Sequence, residues 1–382
     1  MFAALDIDIR PGIGLGIFEI VEDTGSSLWT ILDMLRRMQT TFPQVDIKYD
    51  PDSSSTTPIV LHLRPHLDLL FSGKHQRLRT ICLRKLRDPN PPLTLRYKDA
   101  SISSSEEVLR KVDVRRFFGP TYPGDDLRYP GLWFSFDEDG MTEGIKGVQS
   151  DDKMQEVKRV FISQKEVNKD QADALDEVEE CSTMDGDVAL AVVKVKDGVT
   201  LHFHPLGSKT LHVRIGQTTA QDLSIGLGPP LRVHHKEDER MSIHSSNQGS
   251  DLGTETGYFY NYFQHGLDFL ISSTSHVVQK IVLHTNIPGT PLFQRYQRCN
   301  WEIESSPEDD EDDTPPRKRF YDRFETISHF LSPHETPPSM LLDRTDDEES
   351  ITLPSSTTRL HGYDGIILEV TESSQVVSVM LF

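Results

Sequence analysis

The chain has 382 residues, 36% of them hydrophobic, with 60 Asp and Glu against 40 Lys and Arg and a formal net charge of −20. By size alone this allows roughly two to three domains. The acidic balance excludes general binding to nucleic-acid backbones, which depends on neutralising phosphates with Lys and Arg.

The N-terminal stretch carries Asp6 and Asp8 where a signal peptide needs an apolar run, and no window approaches the length of a membrane span. The run Arg10-PGIGLGIF has glycines at 12, 14 and 16. No helix follows it directly, as a phosphate-cradling loop requires, so it reads as a structural turn. Ser26-SLWTILDMLRRM has the apolar spacing of a helix. Within it, Trp29-Thr30-Ile31-Leu32 has the aromatic-x-x-aliphatic pattern of peptides that add a strand to a partner sheet. On a helix, Trp29 and Leu32 share the face turned to the core.

Next comes His66-LDLLFSGKHQRLRTIC-Leu83, which recurs without a gap 200 positions later as Gly266-LDFLISSTSHVVQKIV-Leu283 and more loosely as Gly365-IILEVTESSQVVSVML-Phe382. Each copy is an apolar run, a polar break and a second apolar run, the pattern of a β-hairpin with one buried face. An interrupted fourth copy joins Gly131–Phe136 to Val157–Ile162 across an acidic insertion. The chain is built by internal duplication.

A helical stretch ending at Gly-Pro or Ser-Pro precedes the later copies. Ser104-SEEVLRKVDVRRF runs to Gly119-Pro120, Thr218-TAQDLSIG to Gly228-Pro229, and Phe324-ETISHF to Ser332-Pro333. Ser104 and Glu107 have capping-box spacing, which places a helix start there. The expected fold is therefore α+β: four units of helix plus antiparallel hairpin in two similar halves, each a sheet with helices on one side. The halves are read as 1–165 and 191–382, with 166–190 an acidic linker. Polar stretches at 137–187, 242–256, 302–316 and 343–358 read as insertions, and 302–316 is expected to be disordered.

Charge is unevenly placed. From Arg64 to Arg116 there are thirteen Lys or Arg against six Asp or Glu, a net +7 that leaves −27 for the rest. Lys74, Arg77, Arg79, Arg84, Lys85 and Arg87 form a candidate patch for an anionic lipid or an acidic partner. Alternation along a hairpin strand also accounts for them as a solvated face.

Chemistry is hard to find. His202 and His204 share a strand face, and His234, His235, His244 and His265 lie in the same half, but no third metal ligand is defined. Cys82, Cys181 and Cys299 make no C-x-x-C pair and no disulfide framework, which suits the cytosol. There is no G-x-S-x-G elbow. No catalytic, cofactor-binding or metal-binding residue is assigned. The aromatic run from Tyr258 to Phe263 reads as a core strand, with Phe259 and Phe263 toward one face and Tyr260 and Tyr262 toward the other.

The run Leu227-GPPLRVHHKEDERMSIHS, then Tyr258-FYNYFQHGLDFLISSTSHVVQKIVLHTNIPG-Thr290 and Tyr296-QRC, resembles the signature region of the phagosome assembly factor 1 family. Leu5-DIDIRPGIGLGIFEI, Phe118-GPTYPG, Tyr129-PGLWFSF and Val376-VSVMLF extend the resemblance to both ends, and the acidic insertions at 137–187 and 302–316 depart from it. The resemblance implies a cytoplasmic, autophagy-related scaffold recruited to the forming autophagosome. It implies assembly there with a WD-repeat β-propeller partner that recognises phosphoinositides, so that membrane contact is indirect. Golgi-derived vesicle traffic is also implied, whereas an enzyme activity, cofactor, nucleic acid or small-molecule substrate is not. A phospholipid- or small-ligand-binding module in vesicle traffic is the alternative.

Overall fold

The structure is a computed structural model that describes residues 5–20, 26–53, 55–121, 127–136, 154–163, 186–236, 257–304, 316–332, 334, 337–343 and 357–382. It divides into two compact units, Met1–Met184 and Asp185–Phe382. The division falls inside the 166–190 stretch, of which Val188 to Leu190 already belongs to a strand.

The first unit contains β1 (Leu5–Arg10), β2 (Gly14–Leu15), β3 (Phe18–Glu19), α1 (Leu28–Arg37), β4 (Val45–Lys48), β5 (Ile59–Leu63), β6 (Leu67–Phe71), β7 (Leu78–Arg84), β8 (Leu93–Tyr97), β9 (Ala100–Ser103), α2 (Lys111–Phe118), β10 (Arg128–Tyr129), β11 (Leu132–Ser135) and β12 (Arg159–Ser163). The second contains β13 (Val188–Lys194), β14 (Gly198–Phe203), β15 (Thr210–Arg214), α3 (Ala220–Leu227), β16 (Arg232–His235), β17 (Gly257–Tyr262), β18 (Leu267–Ser272), β19 (Val278–His284), β20 (Trp301–Glu304), β21 (Arg317–Arg319), α4 (Phe324–Leu331), β22 (Ser339–Asp343), β23 (Thr357–Tyr363), β24 (Ile366–Val370) and β25 (Val376–Leu381).

The two units share one topology. Five-stranded sheets run β3-β2-β1-β8-β9 and β15-β14-β13-β20-β21, and the larger sheets run β10-β11-β12-β7-β6-β5-β4 and β22-β23-β24-β25-β19-β18-β17-β16, the second longer by one strand. Pairing is antiparallel except for β1 with β8 and β13 with β20. All four hairpin segments pair antiparallel, with Leu67 opposite Leu83, Leu267 opposite Leu283, Ile366 opposite Leu381 and Leu132 opposite Ile162.

Local sequence accounts for these elements. In β5 and β6, Ile59, Leu61, Leu63, Leu67, Leu69 and Phe71 are buried and the residues between them are half-exposed, the period of two of a one-sided strand. In α1, Leu28, Ile31, Leu32 and Leu35 are buried at helical spacing, and the Ser27 hydroxyl caps the Thr30 N–H at 3.1 Å. Each such fully buried side chain contributes about 1.5–3 kcal/mol of transfer free energy. In the second unit the inner faces of both sheets join in one cluster, with Leu201, Val213 and Trp301 from one, Phe269, Ile281 and Val379 from the other, and Leu223 of α3 and Ile327 of α4.

The α+β expectation is overturned. Strand residues make up 47% of the described chain and helical residues 14%, in four short helices, so the protein is mostly β with four large sheets. The helix-plus-hairpin pattern captures one recurring contact only. The first N–H of each helix donates to the carbonyl of a hairpin-turn or strand-entry residue: Leu28 to Gln76, Lys111 to Gln155, Ala220 to His276 and Phe324 to Ser374, at 2.8–3.0 Å. What it omits are the two five-stranded sheets, which take most of the strands outside the hairpins.

Two local expectations also change. Ser104 closes a turn, its hydroxyl accepting from the Glu107 N–H at 3.0 Å, and α2 begins at Lys111, where the Asp113 carboxylate accepts from the Arg110 N–H at 3.2 Å. In β17 it is the tyrosines that face the core, with Tyr262 wholly buried and Tyr258 and Tyr260 packed on the cluster. The helix stops keep their mechanism, since Gly119 (φ 91°) and Gly228 (φ 81°) hold left-handed backbone ahead of Pro120 and Pro229. The Gly12–Gly16 run forms the turns joining β1, β2 and β3, with Arg10 donating to the Gly16 carbonyl at 2.6 Å. Most of the insertion residues named from sequence lie outside the described residues, although Glu302 to Glu304 belongs to β20.

Candidate functional site

The six basic residues do not form one patch. Lys74, Arg77 and Arg79 lie at the turn and start of β7, whereas Arg84, Lys85 and Arg87 lie at its far end, about 20 Å away at strand rise. Arg77 and Arg79 are 8% and 9% exposed and so are not on a solvated face. A bulge at Leu70/Phe71 shifts the register here, and Ser27 at the N-terminus of α1 bridges to Arg77.

The far group lines a two-lobed cleft on the outer face of the seven-stranded sheet. The smaller lobe, about 190 Å³, is lined by Lys48, His62, Arg64, Pro65, Arg84 and Lys85. The larger, about 720 Å³, is lined by Arg84, Lys85, Leu86, Arg87, Asp88, Glu156, Val157, Lys158 and Arg159. Strand register builds it. Asp46, His62, Asp68 and Cys82 stand directly opposite one another across β4, β5, β6 and β7, and Arg84 is opposite Arg159 of β12.

Asp68 is the hub of this face. His62 donates from Nδ1 to its Oδ1 at 2.6 Å, and the Arg84 guanidinium donates to the same oxygen at 2.9 Å. His62 Nε2 and Arg84 Nε are buried and have no hydrogen-bond partner among the described residues. Arg64 pairs with Asp46 at 2.5 Å, and Lys158 and Arg87 approach Glu156 at 3.1 and 3.9 Å. Burial, and next the Asp68 charge, push the Cys82 thiol up to about 12, so it stays protonated and is no nucleophile at neutral pH. The loop from β7 to β8 is short and is tied by His66, whose ring nitrogens lie 3.1 and 2.8 Å from the carbonyls of Lys85 and Pro91.

The second unit places Asp268 at the same point of its first hairpin strand, in different surroundings. Asn261 donates to Oδ1 at 2.7 Å, and His284 and the Tyr296 hydroxyl donate to Oδ2 at 2.8 and 2.7 Å. The Tyr296 ring lies flat on the His284 imidazole, centroids 3.7 Å apart. All four residues are at most 9% exposed. Burial, with the Asp268 charge, drives the Tyr296 hydroxyl well above the usual phenol range, so it remains a donor. The covering loop is held by Arg298, which donates to the Thr285 carbonyl at 2.8 Å, and by Trp301, which donates to the Thr285 hydroxyl at 3.0 Å.

Sequence reasoning passed over Asp68 and Asp268, although a lone acid at the same place in two aligned apolar runs was the signal. Of the histidines weighed as metal ligands, His202 on β14 and His204 just past its end are half-buried, His234 and His235 are exposed on β16, His265 is buried and His244 lies outside the described residues. Among the described residues no three His, Cys, Asp or Glu side chains gather as a metal site, and no helix is long and apolar enough to cross a membrane.

Fold and site define a duplicated, mostly β protein with an open basic cleft in one unit and a closed polar cluster in the other. The family model for phagosome assembly factor 1 matches residues 19–382, and the chain belongs to that family. A PHAF1 protein of Arabidopsis thaliana is 28% identical over 400 residues, covering 98% of this chain and 92% of the relative. One of Caenorhabditis elegans is 24% identical over 409 residues, covering 98% and 93%, and one of Drosophila melanogaster is 29% identical over 177 residues, covering 43% and 40%. No solved structure matches the chain. Family membership points to a role in phagosome assembly.

Proposed function

We propose that this chain is a non-enzymatic adaptor that acts in the cytoplasm at the forming autophagosome, where it holds a WD-repeat β-propeller protein. Membrane contact is then made through phosphoinositide recognition by that partner. The observation that carries the reading is the family match along residues 19–382. The architecture supports it, because large sheets ending in exposed strands suit protein contact. β16 is exposed throughout, and β22, at the other end of its sheet, exposes Met340 and Leu341. The site chemistry supports it as well. Asp268, His284 and Tyr296 are buried away from any substrate, and the Cys82 thiol beside Asp68 is held protonated by burial.

Affinity purification of the tagged chain from starved cells tests this. A β-propeller protein should co-purify in stoichiometric amount, and the reading fails if none does or if the pure chain shows a turnover lost on one His or Asp substitution. The cleft over Asp68 favours a second reading, a phospholipid- or small-ligand-binding module in vesicle traffic, Golgi-related traffic included.

A further inference from the structure

Three observations set the cleft over Asp68 apart from an ordinary charged surface. It is concave, and its smaller lobe is lined by His62 and Arg84, whose Nε2 and Nε are buried and lack a partner among the described residues. Positive charge is in excess. Seven Lys and Arg line the two lobes against Asp88 and Glu156, and counting Asp46 and Asp68 behind the lining still leaves three positive charges. Lys48 and Lys85 both line the smaller lobe and are exposed.

The third observation is the chain's own second copy. At the equivalent place in the second unit, the hydroxyl and ring of Tyr296 sit directly on Asp268 and His284. The open space over Asp68 is therefore not a requirement of the sheet. The loop that follows β19 is sixteen residues long and covers its aspartate, whereas the loop that follows β7 is eight residues long and Asp68 stays partly exposed.

We propose that this cleft binds a phosphate-ester headgroup, with a phosphate in the smaller lobe among Lys48, His62, Arg64, Arg84 and Lys85 and the rest of the headgroup in the larger lobe. A phosphate carries the two negative charges and the several acceptor oxygens that donors from separate strands can share. The larger lobe has room for a ring bearing further polar groups. This deepens the ligand-binding reading and rests on it, independently of the adaptor reading.

Calorimetric titration of the full chain with soluble myo-inositol bisphosphate tests the site, beside flotation with phosphatidylcholine vesicles carrying phosphatidylinositol monophosphate or phosphatidylserine. The intact chain should bind the soluble bisphosphate, more weakly as salt rises. Lys48→Glu with Lys85→Glu, both exposed and expected to leave the melting temperature unchanged, should weaken binding by about tenfold or more. Flotation with the phosphoinositide vesicles would make a lipid the source, and soluble binding without flotation would make it a free phosphate ester. The proposal is overturned if the soluble compound does not bind, if the double variant binds it equally well, or if phosphatidylserine vesicles float the chain as well as the phosphoinositide ones. Loss of β-propeller co-purification would remove the adaptor reading and leave these outcomes unaffected.

Discussion

Asp68 and Asp268 occupy one position in two copies of a hairpin, and their surroundings differ in the strand residues that face them, His62 and Arg84 against Asn261 and His284, and in the length and content of the next loop. Asp268 meets donors from Asn261, His284 and Tyr296 under a tyrosine lid, and all four residues are at most 9% exposed. Asp68 meets His62 and a guanidinium at the edge of a basic cleft, with its side chain 19% exposed against 9% for Asp268. Duplication lets one copy spend a buried carboxylate on rigidity while the other keeps it accessible. A polar cluster closed in a low-dielectric interior fixes one arrangement, and one at the edge of an open cleft is placed to accept a ligand.

The comparison can be broken first at the core. Leu69 and Phe269 are aligned, wholly buried, and part of the sheet rather than of either cluster. Leu69→Ala should cost about 2–5 kcal/mol and Phe269→Ala about 3–5 kcal/mol in urea unfolding. If only one of the pair were costly, the two units would not be equivalent scaffolds.

Tyr296→Phe sharpens the comparison more finely, since it keeps the stacked ring and removes one donor to Asp268. A loss of about 1–2 kcal/mol is expected from the same measurement, and no loss would mean that the lid closes the cluster by packing alone.

The smallest effect is on acid sensitivity. Burial lowers the imidazole pKa of His265 and of His361, both in the second unit. A histidine with a lowered folded-state pKa is protonated first in the unfolded chain. Its stabilising effect is therefore full above about pH 6.5 and is lost as pH falls toward the folded-state value. Hydrogen exchange should show the second unit opening more readily at about pH 5 than at about pH 7, and His265→Asn should reduce the difference. Greater protection at the lower pH would contradict the assignment.

Much of this fold was legible because hairpins with one buried face leave a period of two, and the copies could be aligned residue by residue. The five-stranded sheets were not. β2 and β3 are two residues each, too short for any period, and β1 pairs in parallel with β8 from more than eighty residues away, a contact no local pattern records. The helices were placed by their Gly-Pro stops, but a capping signal at Ser104 serves a turn equally well.

The cleft was legible only in part. Arg84, Lys85 and Arg87 were named, yet run together with Arg77 and Arg79, which a bulge and the docking of α1 bury at the opposite end of the strand. Lys48, His62, Arg64 and Lys158 reach the site from other strands and loops, so only tertiary structure joins them to it.

The most direct test of the divergence between the two copies is to unfold Asp68→Asn and Asp268→Asn side by side in urea. Asp268→Asn puts an amide against buried donors and should cost about 2–4 kcal/mol. Asp68→Asn weakens a partly exposed pair and should cost less than about 1 kcal/mol. Equal losses, or a larger loss at Asp68, would contradict the assignment of one copy to structure and the other to binding.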